Sequence, residues 1–171
     1  MVSRRSVLLA LVLLGAVLVG VGFATGTPEP VLTIENDDNV SYQVTAYTVE
    51  DLDAAGYLNF EVTTDDGEQR LVTYNDLVWT TSYQNVTLVD EGVNSQSFTV
   101  GPNETTTGVV DGWSHGDVTL YIVESDDDET RTWSRTVTCD SRGQDHGLRM
   151  AADSGGGGST HCGGGFGWMI R

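Results

Sequence analysis

Residues 118–124 read Val118-Thr119-Leu120-Tyr121-Ile122-Val123-Glu124. Val118, Leu120 and Ile122 alternate with Thr119, Tyr121 and Val123, the period of an extended strand whose side chains point to opposite faces in turn. Tyr121 and Val123 make the second face partly apolar, as for a central strand. The same period recurs outward along the chain. Leu58, Phe60 and Val62 alternate with Asn59, Glu61 and Thr63, and Leu77, Trp79, Thr81 and Tyr83 mark another such stretch. Trp133, Val137 and Cys139 lie opposite Ser134, Thr136 and Thr138. Within residues 40–50 the phase shifts between Ala46 and Tyr47, which predicts a bulge.

Turn residues punctuate these stretches. Asp65-Asp66-Gly67 sits between two runs and reads as a hairpin connection. Residues 126–129 (Asp-Asp-Asp-Glu), Gly101-Pro102-Asn103 and residues 112–117 break the chain again. No stretch after residue 30 carries a helical period. The expectation is an all-β fold, an antiparallel sandwich of seven to nine strands over residues 31–139. Residues 140–171 change character: runs of glycine at 155–158 and 163–165 read as a low-complexity tail that cannot bury enough surface to fold alone.

Ahead of the body, residues 7–24 contain no charge and are almost all apolar. As a helix this run spans about 27 Å, close to the thickness of a bilayer's hydrocarbon core. Arg4 and Arg5 precede it, so the positive-inside rule leaves the rest of the chain outside the cell. Residues 1–26 are therefore read as a signal anchor or signal peptide, and 27–30 as a spacer. Small residues at Gly22 and Ala24 would also fit cleavage after Ala24 and a secreted form. The Arg4-Arg5 pair resembles a twin-arginine export signal, whereas the leucine-rich run points to the general secretory route.

The chain of 171 residues carries 25 acidic and 8 basic side chains, a net −17. All the bases are arginine, and Asp outnumbers Glu 16 to 9. Without Arg4 and Arg5 six bases face the 25 acids, a net −19. Such a surface repels nucleic acid and is soluble where molar salt shortens the Debye length to about 3 Å. The composition resembles that of proteins secreted by halophilic archaea. After the leader, apolar residues fall to about a third, thin for a globular domain, so the core should be small and helped by a cross-link.

The motifs that carry chemistry point away from catalysis. Gly112-Trp113-Ser114-His115-Gly116 matches the G-x-S-x-G of serine hydrolases, which requires a strand turning sharply into a helix. Here a strand follows at once, so Ser114 is read as a turn residue. Cys139, His146, Met150, His161 and Cys162 include the ligand types of a copper or zinc site, but the gap from Cys139 to His146 is wrong for a copper sandwich and His115 is too close upstream. No cofactor or metal is expected. Cys139 and Cys162 are the only cysteines, and an exported compartment permits their oxidation, so a Cys139–Cys162 disulfide is expected. Asp37-Asp38, Asp65-Asp66 and residues 126–129 lack the spacing of a calcium loop and read as solvated acidic turns. Three N-x-S/T sequons, at Asn39, Asn85 and Asn103, are candidate glycosylation sites, with Asn39 and Asn103 expected at the surface.

Residues 98–126, Phe-Thr-Val-Gly-Pro-Asn-Glu-Thr-Thr-Thr-Gly-Val-Val-Asp-Gly-Trp-Ser-His-Gly-Asp-Val-Thr-Leu-Tyr-Ile-Val-Glu-Ser-Asp, resemble the Ig-like sandwich modules of archaeal and bacterial surface proteins. The shared features are a Pro-x-Glu-Thr turn and a Gly-Asp pair before a long alternating strand. The resemblance implies adhesion, spacing or display, and carries over no catalytic residue. The resulting expectation is a non-enzymatic, membrane-anchored extracellular domain of a halophile, binding envelope proteins or other copies of itself. Trp113 and Tyr57, aromatics near turns, are its candidate contact residues. An archaeal pilin or archaellin subunit, which also joins an apolar helix to a glycosylated sandwich, is the alternative.

Overall fold

A computed structural model describes residues 29–78, 83–126, 132–139, 141, 143–152 and 155–163. The leader of residues 1–26 lies outside them. Among the described residues no helix is long and apolar enough to cross a membrane. The elements run β1 (Val31–Asn36), β2 (Tyr42–Val49), α1 (Leu52–Gly56), β3 (Asn59–Thr63), β4 (Gln69–Thr73), α2 (Tyr74–Leu77), β5 (Gln84–Leu88), β6 (Asn94–Val100), β7 (Thr105–Val109), β8 (Val118–Ser125), β9 (Thr132–Thr138), β10 (Gln144–Ala151) and β11 (Gly155–Cys162).

The alternating stretch that opened the sequence reading is β8, and it lies inside the middle layer. One sheet has the order β6-β2-β8-β9, a second β11-β10-β1-β7, and a third β4-β3-β5. The first is covered on both faces. Tyr121 and Val123 share a core with Leu32, Ile34, Leu148 and Met150 of the second sheet. Leu120 and Ile122 share another with Phe60, Val62 and Val86 of the third. A strand that alternates between two apolar environments needs apolar residues at both parities, which is why β8 reads as an almost unbroken apolar run.

The same double burial corrects the predicted bulge in β2. The pairing of β2 with β6 and β8 runs without a shift through Ala46 and Tyr47. Val44 and Ala46 face one core and Tyr47 and Val49 the other, so the apparent change of phase is a change of the core being filled. The register shift occurs instead between β3 and β5, where Glu61 faces Thr87 and Thr63 faces Gln84. Asn85 absorbs the extra residue at φ 50, a left-handed conformation that asparagine tolerates better than most.

The described strands number eleven: nine within residues 31–139, at the upper end of the expected range, and two more in the glycine-rich segment. Three further expectations change. Two short helical turns interrupt the strands. Asp51 caps α1 by accepting from the Ala54 N–H at 2.7 Å. Asp76 caps α2 by accepting from the Thr73 N–H and hydroxyl at 3.1 and 2.9 Å. Leu77, read as a strand position, closes α2, and residues 79–82 lie outside the described residues. The pairing is not wholly antiparallel, because β1 runs parallel to β10.

The largest correction concerns the glycine-rich segment. Its residues 144–151 and 155–162 are two strands of the β11-β10-β1-β7 sheet. In β10, Gln144, His146, Leu148 and Met150 are buried in alternation. In β11 two glycines, Gly156 and Gly158, lie where β9 comes close, whereas a Cβ on Gly157 would meet open space. A Cβ on Gly156 would run into the Trp133 indole, and one on Gly158 into the Arg135 guanidinium, both carried by β9. The Cys139–Cys162 disulfide joins the end of β9 to the end of β11, with Cα atoms 5.8 Å apart.

Candidate interaction surface

The outer face of the β11-β10-β1-β7 sheet is built from the residues that alternate away from the core. Ladder pairing lines them up in rows. Val109, Val31, Asp145 and His161 form one row; Thr107, Thr33, Gly147 and Ser159 the next; Thr105, Glu35, Arg149 and Gly157 the third. Thr33 and Thr107 lie within hydroxyl contact at 3.4 Å. The missing side chains of Gly147 and Gly157 leave an open groove of about 630 Å³ bounded by Thr33, Glu35, Arg149, Ser159 and His161. Hydroxyls, both signs of charge and bare backbone line it, and most of its exposed lining is apolar.

A second groove, about 380 Å³, opens where β5 meets the uncovered end of the β6-β2-β8-β9 sheet, lined by Ser41, Gln43, Asn85, Thr87, Thr99 and Glu124. The Glu124 carboxylate accepts from the Val86 N–H at 2.9 Å. Its partial burial raises its pKa above the ordinary glutamate value, opposed by those backbone N–H bonds.

Beneath the first groove lies a buried polar chain. The Tyr121 hydroxyl and His146 Nδ1 are 2.5 Å apart, and His146 Nε2 is 2.9 Å from Gln144 Oε1. The Gln144 amide nitrogen donates to the carbonyls of Cys139 and Ser141 at 3.1 and 3.3 Å. Because Gln144 Oε1 can only accept, His146 carries its proton on Nε2, and Nδ1 accepts from Tyr121. Burial, with the Arg135 cation adding to it and Asp145 opposing, pushes the His146 pKa down to about 4. Burial likewise raises the tyrosine pKa. The chain is neutral and satisfied from end to end, an arrangement that fixes β10 against β8.

This places the candidate metal ligands. Both ring nitrogens of His146 are engaged, Cys139 and Cys162 are bonded to each other, and Met150 is packed in the core. His161 lies on the outer face of β11 and His115 in an exposed turn. Among the described residues no group of three or more His, Cys, Asp or Glu has metal-holding geometry. Ser114 sits in that same turn, its N–H donating to Asp117 Oδ2 at 2.7 Å, with β8 following directly. The strand-to-helix elbow of a hydrolase is not formed there.

The acidic pairs are structural. Asp38, buried, accepts from the Asn39 N–H and the Tyr42 hydroxyl at 2.6 and 2.9 Å. Asp37 pairs with Arg149 at 2.6 Å on the surface. Asp66 accepts from the Thr64 hydroxyl inside the β3–β4 hairpin turn. Residues 127–129 lie outside the described residues. Asn39, Asn85 and Asn103 are all exposed. Asn39 and Asn103 share one end of the fold, where the Asn103 N–H donates to the Asp38 carbonyl at 3.1 Å. Of the two candidate contact aromatics, Tyr57 is 80% exposed, whereas Trp113 is buried with its Nε1 donating to the Asp117 carbonyl. Trp113 is therefore core.

The sequence reading missed the groove and the polar chain together. The available signal was the alternation of Gln144, His146, Leu148 and Met150. The family model described as halobacterial Ig domain protein matches residues 1–171. No curated protein and no solved structure matches the chain.

Proposed function

Because this chain belongs to the halobacterial Ig domain family, we propose that it is a non-enzymatic domain of the outer cell surface, held to the membrane by residues 1–26, that binds envelope partners through its uncovered sheet face. The observation that carries this reading is the outer face of the β11-β10-β1-β7 sheet, with its groove at Gly147 and Gly157 and its rows of hydroxyl and charged side chains. Nothing in the protein covers that face among the described residues. The direction of β1 supports the orientation. In chain order it follows the leader and its spacer, and it runs toward the end where Asn39 and Asn103 stand, so glycans on those two would point away from the membrane. A net −19 outside the leader fits a domain working in molar salt.

Cross-linking on intact cells, followed by mass spectrometry, tests the reading. The expected products join residues of the outer sheet face to envelope proteins. A domain that cross-links to nothing, and when purified turns over a small molecule or carries copper, contradicts it.

A further inference from the structure

We propose that Asn85 carries an N-linked oligosaccharide whose first sugars lie in the groove beside β5, against the hydroxyl-lined half of the middle sheet. The face of that sheet turned toward β4-β3-β5 is divided in two. β8 and β2 fill one half with Leu120, Ile122 and Tyr47, buried against the third sheet. On β6 the same face carries Ser95 opposite Tyr47, Ser97 opposite Thr45 and Thr99 opposite Gln43. All three β6 residues are exposed, and the Ser97 and Thr45 hydroxyls lie 3.1 Å apart. These positions form a ledge of hydroxyl and amide groups where the other half has an apolar core.

The groove of about 380 Å³ runs from this ledge to β5, with Thr99 and Gln43 on one side and Asn85 and Thr87 on the other. Its size falls within the range of small-molecule sites. A sugar suits such a lining, because its hydroxyls can take over the hydrogen bonds that water makes there.

Asn85 stands at the lip of the groove as the first residue of the Asn85-Val86-Thr87 sequon. The register shift between β3 and β5 leaves it outside their ladder, at φ 50. Glu124, reaching over from β8, fixes this shape: its carboxylate accepts from the Val86 N–H at 2.9 Å. The Asn85 side chain is exposed, and its Nδ2 lies 3.5 Å from Thr63 Oγ1, beyond the range of a strong hydrogen bond. The nitrogen is therefore accessible. Ser41 and Thr99 lead into the turns that carry Asn39 and Asn103, so the three sequons stand at one end of the fold. Asn85 is the one that lines this groove.

The modification is a glycosyl transfer. Asn85 Nδ2 bonds to the anomeric carbon of a glycosyl phosphate carried on a lipid. The carbon–oxygen bond to phosphate breaks, phosphate leaves with the electron pair, and the amide gives up one proton. The proposal rests on the outer-surface reading, which brings the sequon to a membrane-bound transferase.

The test uses the full chain purified from the cells that make it and kept in molar KCl. Glycopeptide mass spectrometry should find sugar on Asn85. Thr87→Ala, which ends the sequon but keeps Asn85, should lose that mass, and Thr87→Ser, which preserves the sequon, should retain it. In NMR spectra of the intact glycoprotein, sugar protons should give Overhauser contacts to Thr99 and Gln43. Sugar on Asn39 or Asn103 with Asn85 bare would overturn the proposal and leave the surface reading standing. Sugar on Asn85 without contacts to Thr99 or Gln43 would overturn its seat in the groove. Three bare sequons would overturn it as well, and protease shaving of intact cells then decides the surface reading separately.

Discussion

On one side of β8, Leu120 and Ile122 share a core with Phe60 and Val62; on the other, Tyr121 meets the imidazole of His146. The first core is apolar packing with aromatic contacts: Tyr47 meets Phe60 edge-on at 5.6 Å, and Tyr74 lies 6.4 Å from it. The second core packs Leu32, Ile34, Leu148 and Met150 around a buried polar chain, against glycine backbone and beside a disulfide. A composition poor in large apolar residues can fill one core by side-chain volume. It builds the other by bringing backbones close, satisfying buried polar groups and restricting the unfolded chain.

The largest expected effect is in the apolar core. Phe60 is fully buried, and Phe60→Ala should destabilise the domain by about 3–5 kcal/mol in denaturant unfolding. Replacing Cys139 and Cys162 by serine should cost about 3 kcal/mol by the chain-entropy estimate, for a loop closed over a sequence separation of 23.

The polar chain supplies a pH signature that the apolar core lacks. With the folded His146 pKa at about 4 against 6.5 unfolded, the unfolded chain binds a proton in that window that the folded chain does not. Stability should therefore fall as pH drops from about 6.5 toward 4, by up to about 3 kcal/mol if His146 acted alone. Glu124, whose folded pKa is raised, works in the opposite sense, so the net loss should be smaller. Urea midpoints of His146→Gln should follow pH less steeply than those of the parent. The smallest expected effect is at the surface. Arg149 and Asp37 are each at least half exposed, and Arg149→Ala should change stability by less than about 1 kcal/mol.

How far the sequence carries depends on which core a strand serves. β3 and β8 were legible because apolar residues mark their inward positions, and the turns at Asp65-Asp66-Gly67 and Gly101-Pro102-Asn103 carry their own punctuation. β10 was not, because two of its four inward residues are Gln144 and His146, polar until their partners on other elements are known. β11 was not, because glycine has no side chain to show a period, and the reason for it lies on β9 in Trp133 and Arg135. The third layer was hidden as well. The change of phase in β2 recorded a second core and was read as a bulge. The Cys139–Cys162 disulfide was legible from a single cysteine pair in a chain read as exported, yet it ties two sheet strands together rather than anchoring a loose tail.

The central structural claim is that the glycine-rich segment belongs to the sandwich and holds one of its two cores. Selective reduction of Cys139–Cys162 under native conditions, with hydrogen exchange followed strand by strand, tests it most directly. Faster exchange in β10, β11 and β1, with β3 and β4 unchanged, is the predicted result. Unchanged exchange in β1 and β10 after complete reduction, or equal loss of protection in β3, would contradict it.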